Sequence, residues 1–148
     1  MGLTDRLQLE TIGFTKDAKS CLHINRLSSR VYSASFGVTP YITAWIWIKI
    51  IDEGLLPKKG KRKHLLWTLY WMKTYLTNDV LCAALQIGSD KTFCKWRDEF
   101  IWAIANIDVV RMSRHRRRHS PYFYYYSCSS LFVYYSLSIY YRSALETD

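Results

Sequence analysis

What this chain lacks narrows its chemistry first. Beyond Asp108 the only carboxylate side chains are Glu146 and Asp148, at the very end. Metal-assisted phosphoryl transfer needs clustered carboxylates, because hard divalent cations take oxygen ligands. No such cluster can form there. The cysteines Cys21, Cys82, Cys94 and Cys128 show no C-x-x-C spacing, so neither a zinc site nor a disulfide framework is expected. His115 and His119 have the H-x₃-H spacing of half a zinc site, and Cys21-Leu22-His23 is another isolated pair. No cysteine pair stands at finger distance to complete either. There is no Ser-His-Asp order, no glycine motif that would cradle a nucleotide, and no context for a cysteine nucleophile. Residues 1–13 carry Asp5, Arg6 and Glu10 and no apolar run, so no secretory signal is expected. These absences together predict no catalytic residue, no metal and no cofactor.

What is present points elsewhere. Residues 77–107 read as a short helix, a glycine-containing turn and a longer helix, the outline of a helix-turn-helix. Thr77 or Asn78 can cap the first helix, with Asp79 at the positive end of its dipole. Ala83 and Ala84 predict close helix approach, and Gly88 predicts the positive φ of a sharp exit. Ser89 suits the next N-cap, with Asp90 behind it. Phe93, Trp96, Phe100, Ile104 and Ile107 then recur at helical spacing as one apolar stripe. Lys91, Thr92, Lys95 and Asp98 fall off that stripe. A recognition helix needs this division, one face packed and the other offering donors to phosphates and base edges. A plain helical hairpin with solvated lysines is the competing reading.

Charge favours nucleic acid. The chain has 21 Lys plus Arg against 12 Asp plus Glu, a net charge of +9. One basic run, Lys58-Lys59-Gly60-Lys61-Arg62-Lys63, precedes a helix expected over 64–76. The other spans residues 111–119 and includes Arg114, Arg116, Arg117 and Arg118. Runs flanking such a unit would supply phosphate contacts and salt-dependent affinity to double-stranded DNA. The competing reading of each run is a solvated loop or a nuclear-import signal, the latter compatible with DNA binding, and the nucleus is the expected location.

Upstream, Thr39-Pro40 reads as an N-cap followed by proline at the first helical position. Ile42, Trp45, Ile46 and Ile50, widened by Trp47, Ile48 and Ile51, form the stripe of a helix that Gly54 closes. Leu65, Leu66, Leu69, Met72 and Leu76 give the next stripe. A weaker pattern, with Leu22, Arg26 and Leu27, suggests a helix over about residues 16–34. Tryptophans 45, 47, 67, 71, 96 and 102 are expected in the core and at helix contacts. The sum is an all-α small helical bundle with a helix-turn-helix over residues 15–108, followed by a tail at 109–148.

The same residues resemble a known family. Phe36-Gly37-Val38-Thr39-Pro40, Trp45, the run His64-Leu65-Leu66-Trp67-Thr68-Leu69-Tyr70-Trp71-Met72-Lys73, then Lys91-Thr92-Phe93-Cys94-Lys95-Trp96 and Phe100-Ile101-Trp102-Ala103-Ile104-Ala105 look like the N-terminal region of Harbinger-like transposases of the DDE superfamily. The resemblance covers about residues 35–108. It implies a DNA-binding helix-turn-helix module from a transposase whose metal-dependent nuclease, with its acidic triad, is missing from this chain. The implied partner is double-stranded DNA of transposon-end type. Cys94 departs from the family, which more often has a basic residue there. Gly88 also lies one residue closer to the second helix than the family's usual glycine.

Residues 120–141 carry no charge, and eight tyrosines and six serines dominate them. The length is that of a membrane span and the arginines before it would lie on the cytoplasmic side. Tyrosine, however, belongs at the bilayer interface, and the tract has no clean period of 2 or 3.6. It reads as a low-complexity, poorly ordered tail or as the product of a shifted frame. The alternative function is a helical interaction protein, or a membrane-attached one using 120–141.

Overall fold

The computed structural model describes residues 2–107, which form six α-helices and, among the described residues, no strand. The helices are α1 (Leu3–Leu22), α2 (Ser29–Phe36), α3 (Pro40–Asp52), α4 (Arg62–Thr74), α5 (Asn78–Ala84) and α6 (Asp90–Asn106). The all-α reading therefore holds. The basic and aromatic tail, with Arg114, Arg116, Arg117, Arg118 and residues 120–141, lies outside the described residues.

α3 and α4 are the two most buried helices. Thr39 caps α3 by accepting the Ile42 N–H through its hydroxyl at 3.3 Å, and Pro40 occupies the first turn. Thr43, Ala44, Ile46, Trp47, Ile48 and Ile50 are all buried, so this helix is covered on more than one face. Each large apolar side chain so enclosed stabilises the fold by about 1.5–3 kcal/mol. Its one buried hydroxyl is satisfied: Tyr32 donates to Thr43 Oγ1 at 3.0 Å, and Thr43 donates to the Thr39 carbonyl at 3.1 Å. Burial pushes the Tyr32 phenol well above its ordinary value, which keeps it a donor. The helix stops at Gly54, whose φ of +67° lets the Leu55 N–H reach back to the Ile50 carbonyl at 2.8 Å.

Two expectations upstream need correction. The helix expected over 16–34 is two helices, α1 and α2, separated at residues 23–28. His23 turns left-handed (φ 53°) and donates to the carbonyls of Lys19 and Ser20, while Ser28 caps α2 by accepting the Val31 N–H. The domain also begins well before residue 15. Leu7 and Phe14 are buried, and α1 packs chiefly on α3. Arg6 reaches Asp52 at 2.8 Å across that seam. Charged residues between the apolar ones in residues 3–14 diluted the periodic signal of this stretch.

The helix placed over 64–76 begins at Arg62 and ends at Thr74, because Tyr75 adopts φ 52° and closes it. Its expected stripe is otherwise correct, with Leu65, Leu66, Leu69 and Met72 buried. Of the six tryptophans, Trp47 and Trp67 are buried and Trp45, Trp71 and Trp96 are half-buried. Trp102 contradicts the core assignment, being 60% exposed.

Candidate nucleic-acid interface

The last three helices form one unit. α6 packs mainly on α4, and α5 on α6. Phe93, Phe100, Ala103 and Ile104 are buried along one side of α6, and Ile107 is buried just past its end. Trp47 stacks on Phe100 at 6.2 Å between ring centroids, joining this side to the core. Leu81 and Leu85 anchor α5. Ala83 and Ala84, expected at a close helix contact, are exposed instead.

The turn between α5 and α6 is built differently from the expectation. Its left-handed residue is Gln86, with φ 52°, and Gly88 is not in that region. Gln86 donates to the Ala83 carbonyl at 3.3 Å and Ile87 to the Cys82 carbonyl at 2.8 Å. This is the hydrogen-bond pattern of a Schellman ending, with glutamine where glycine is usual. Ser89 occupies the N-cap of α6 and Thr77 that of α5, but neither side chain makes a capping hydrogen bond.

Polar contacts that spacing along the chain does not reveal hold the unit together. Arg97 lies over the Trp71 ring at 4.9 Å and the Phe93 ring at 5.7 Å. It donates to Asn78 Oδ1 at 3.0 Å and to Asp98 at 2.8 Å. One guanidinium thus touches α4, α5 and α6. Cys94 receives the Asn78 amide at 3.2 Å and donates to Asp90 at 3.4 Å. Burial and this contact with Asp90 push its thiol up, and burial with the Asp90 charge does the same for Cys82. Neither is poised as a thiolate.

His64 braces α4 against α6. Its ring stacks on Trp96 at 4.0 Å and 15°, and its Nδ1 accepts the Lys61 N–H at 3.2 Å. Burial, then the charges of Lys63 and Lys61, lowers its pKa to about 4, so the ring is neutral.

The opposite face of α6 is open. Lys91, Thr92, Lys95 and Asp98 are all exposed, and with Trp102 the residues 91, 95, 98 and 102 follow helical spacing. Lys95 lies 5.2 Å from the Trp96 ring. Beside this face runs a groove of about 750 Å³, lined by residues 54–59 of the α3–α4 loop and by Lys95, Asp98, Glu99 and Trp102. Lys58 and Lys59 therefore meet Lys95 in one place. The loop turns there because the Gly60 N–H reaches the Pro57 carbonyl at 2.7 Å and Lys59 takes φ 66°. Gly60 is required, since a Cβ would lie 2.9 Å from that carbonyl oxygen.

The rest of the basic run goes elsewhere. Arg62, expected to hold a phosphate, is committed to protein carboxylates: Nη1 reaches Glu10 and Nε reaches Asp17, each at 3.0 Å. It crosses α1 over Gly13, where a Cβ would stand 2.0 Å from Nη1. Lys61 and Lys63 are exposed but flank this acidic seam in a second groove with Glu10 and Asp17. Lys63 also sits 5.4 Å from the Trp67 ring. Local spacing could not reveal this division, because the carboxylates lie 45 to 52 residues away.

Among the described residues no group of three His, Cys, Asp or Glu is placed to hold a metal ion. No single helix among them is long and apolar enough to cross a membrane. The pair α2 and α3 is apolar enough only together, bends by 55°, and carries eight buried residues of the bundle. No family model, curated protein or solved structure matches this chain.

Proposed function

We propose that this chain is a double-stranded-DNA-binding helix-turn-helix module, acting in the nucleus and derived from a Harbinger-like transposase. The observation that supports the reading most is the division of α6. Phe93, Phe100 and Ile104 are buried, while Lys91, Thr92 and Lys95 stand exposed on another face. A helix so divided can lie in a major groove without disturbing its own core. Lys58 and Lys59, sharing a groove with Lys95, add phosphate contacts beside it. Descent from a transposase rests on the sequence resemblance over residues 35–108 alone.

The test is binding of the full chain to a duplex selected from random sequence, at several salt concentrations. Lys95→Ala should relax preference at one base position by about 1–3 kcal/mol, the worth of a bidentate base contact. Lys58→Ala with Lys59→Ala should weaken all duplexes alike and flatten the salt slope by about one for each phosphate no longer neutralised. A Lys91→Ala/Lys95→Ala variant that binds as tightly and selectively as the parent would rule out α6 as the reading helix.

A further inference from the structure

We propose that the groove beside Trp102 receives an unpaired nucleobase, with Trp102 as the stacking platform and Lys58 and Lys59 holding the adjoining phosphates. The inference rests on the DNA-binding reading and deepens it: the preferred substrate is DNA with an unstacked base at an end or junction, rather than a continuous duplex.

Trp102 is the reason to look here. It is 60% exposed, whereas the other five tryptophans are buried or half-buried. Isolated exposed apolar residues are ordinary. This one is set among lysines, on the face of α6 that carries Lys91 and Lys95. From Lys95 to Trp102 the helix advances about 10 Å, on the order of three base steps of 3.4 Å. A base leaving the stack beyond the contacts of Lys95 would therefore arrive near the indole.

The groove suits such a guest. Its volume of about 750 Å³ falls within the roughly 300–1,000 Å³ of pockets that take small ligands. Leu56 and Pro57 add apolar wall beside the indole. Lysines bind phosphate as point charges, and Lys58 and Lys59 line this space. Of its two carboxylates, Asp98 is already engaged by Arg97 at 2.8 Å, which offsets its charge. Glu99 remains as an acceptor suited to the exocyclic amine of a base. Aromatic stacking is tolerant of base identity, because every base has a π-face.

The experiment compares two labelled duplexes of the same sequence, one blunt and one with a short single-stranded overhang, by fluorescence anisotropy with the full chain. The parent should prefer the overhang about 5- to 100-fold, the range expected from stacking one base on an aromatic ring. Trp102→Ala should abolish that preference while leaving blunt-duplex affinity within about twofold, as for an exposed substitution. Trp102→Phe should keep part of it. Equal binding of both duplexes by the parent, or a preference that survives Trp102→Ala, overturns the inference and leaves the duplex-binding reading standing. Failure to bind either duplex overturns both.

Discussion

Arg62 and Lys95 are both basic residues on helices with apolar neighbours, yet they face opposite tasks. Arg62 bridges α1 and α4, satisfied by Glu10 and Asp17 and laid across Gly13. Lys95 stands on the outer face of α6 beside an open groove. Arg97 repeats the first pattern, turned inward onto Trp71 and Asn78. In this bundle these two arginines join helices, and the lysines at 58, 59, 91 and 95 meet solvent. The chemistry explains the division. A planar guanidinium presents a fixed fork to two carboxylates and stacks on rings, whereas an ammonium is a strongly hydrated point charge. Net charge therefore overstates the surface available to DNA.

Removing the inward contact should have the largest effect. Arg62→Ala should cost about 1–2 kcal/mol in urea denaturation, through two part-exposed charge-assisted hydrogen bonds and the contact of its guanidinium with the Phe14 ring at 5.9 Å. It should leave DNA affinity unchanged in folded protein. Gly13 sharpens the point. Gly13→Ala in the parent displaces the guanidinium and should destabilise. In the Arg62→Ala background the same change should stabilise by roughly 0.5–1 kcal/mol, since a helical glycine then gains only propensity. The same sign in both backgrounds would mean that Arg62 is not held by that glycine.

Acid should loosen the other inward seam, between α4 and α6. The His64 pKa is lowered from its ordinary value to about 4, so the unfolded chain takes up the proton first as pH falls. Stability is full above about pH 6.5 and is lost progressively toward pH 4. The loss between pH 7 and pH 5 should be up to about 2 kcal/mol. His64→Phe, which keeps a ring against Trp96 but cannot be protonated, should flatten that part of the profile. A parent equally stable at both pH values would contradict the burial of this imidazole.

The smallest effect is expected at Gly88, where the sequence placed the turn. Gly88 has no positive φ, and a Cβ added there would meet nothing within 4 Å. Gly88→Ala should therefore be neutral or stabilising by up to about 1 kcal/mol. Gln86→Gly should also be mildly stabilising, because it relieves a left-handed side chain. A loss above about 1 kcal/mol at Gly88 in thermal unfolding would restore the glycine turn.

That reversal indicates what a sequence carries. Apolar periodicity identified α3, α4 and α6, because buried faces repeat every three or four residues whatever their partners. Thr39-Pro40 and Gly54 were legible because their backbone roles are local. Gln86 was not, since a residue other than glycine can be forced left-handed when the Ala83 and Cys82 carbonyls capture the amides of Gln86 and Ile87. The candidate site was legible at Lys91, Thr92 and Lys95, which follow from the helix phase alone. The inward turn of Arg62 and the grouping of Lys58 and Lys59 with Lys95 depend on which helices meet. Trp102 was misplaced for a related reason: composition gives tryptophan an average burial, not a position on a particular helix.

Arg97 sets the terms on which the α6 surface can change. By touching α4, α5 and α6 with one side chain, it fixes the relative placement of these helices from within. Substitutions at 91, 92 and 95 alter what the surface contacts without passing through that joint. Alteration of residue 97 would instead shift every outward side chain at once. The bundle therefore keeps its outward-facing positions on α6 and its alignment in different residues, so that surface can change one side chain at a time while the frame stays put.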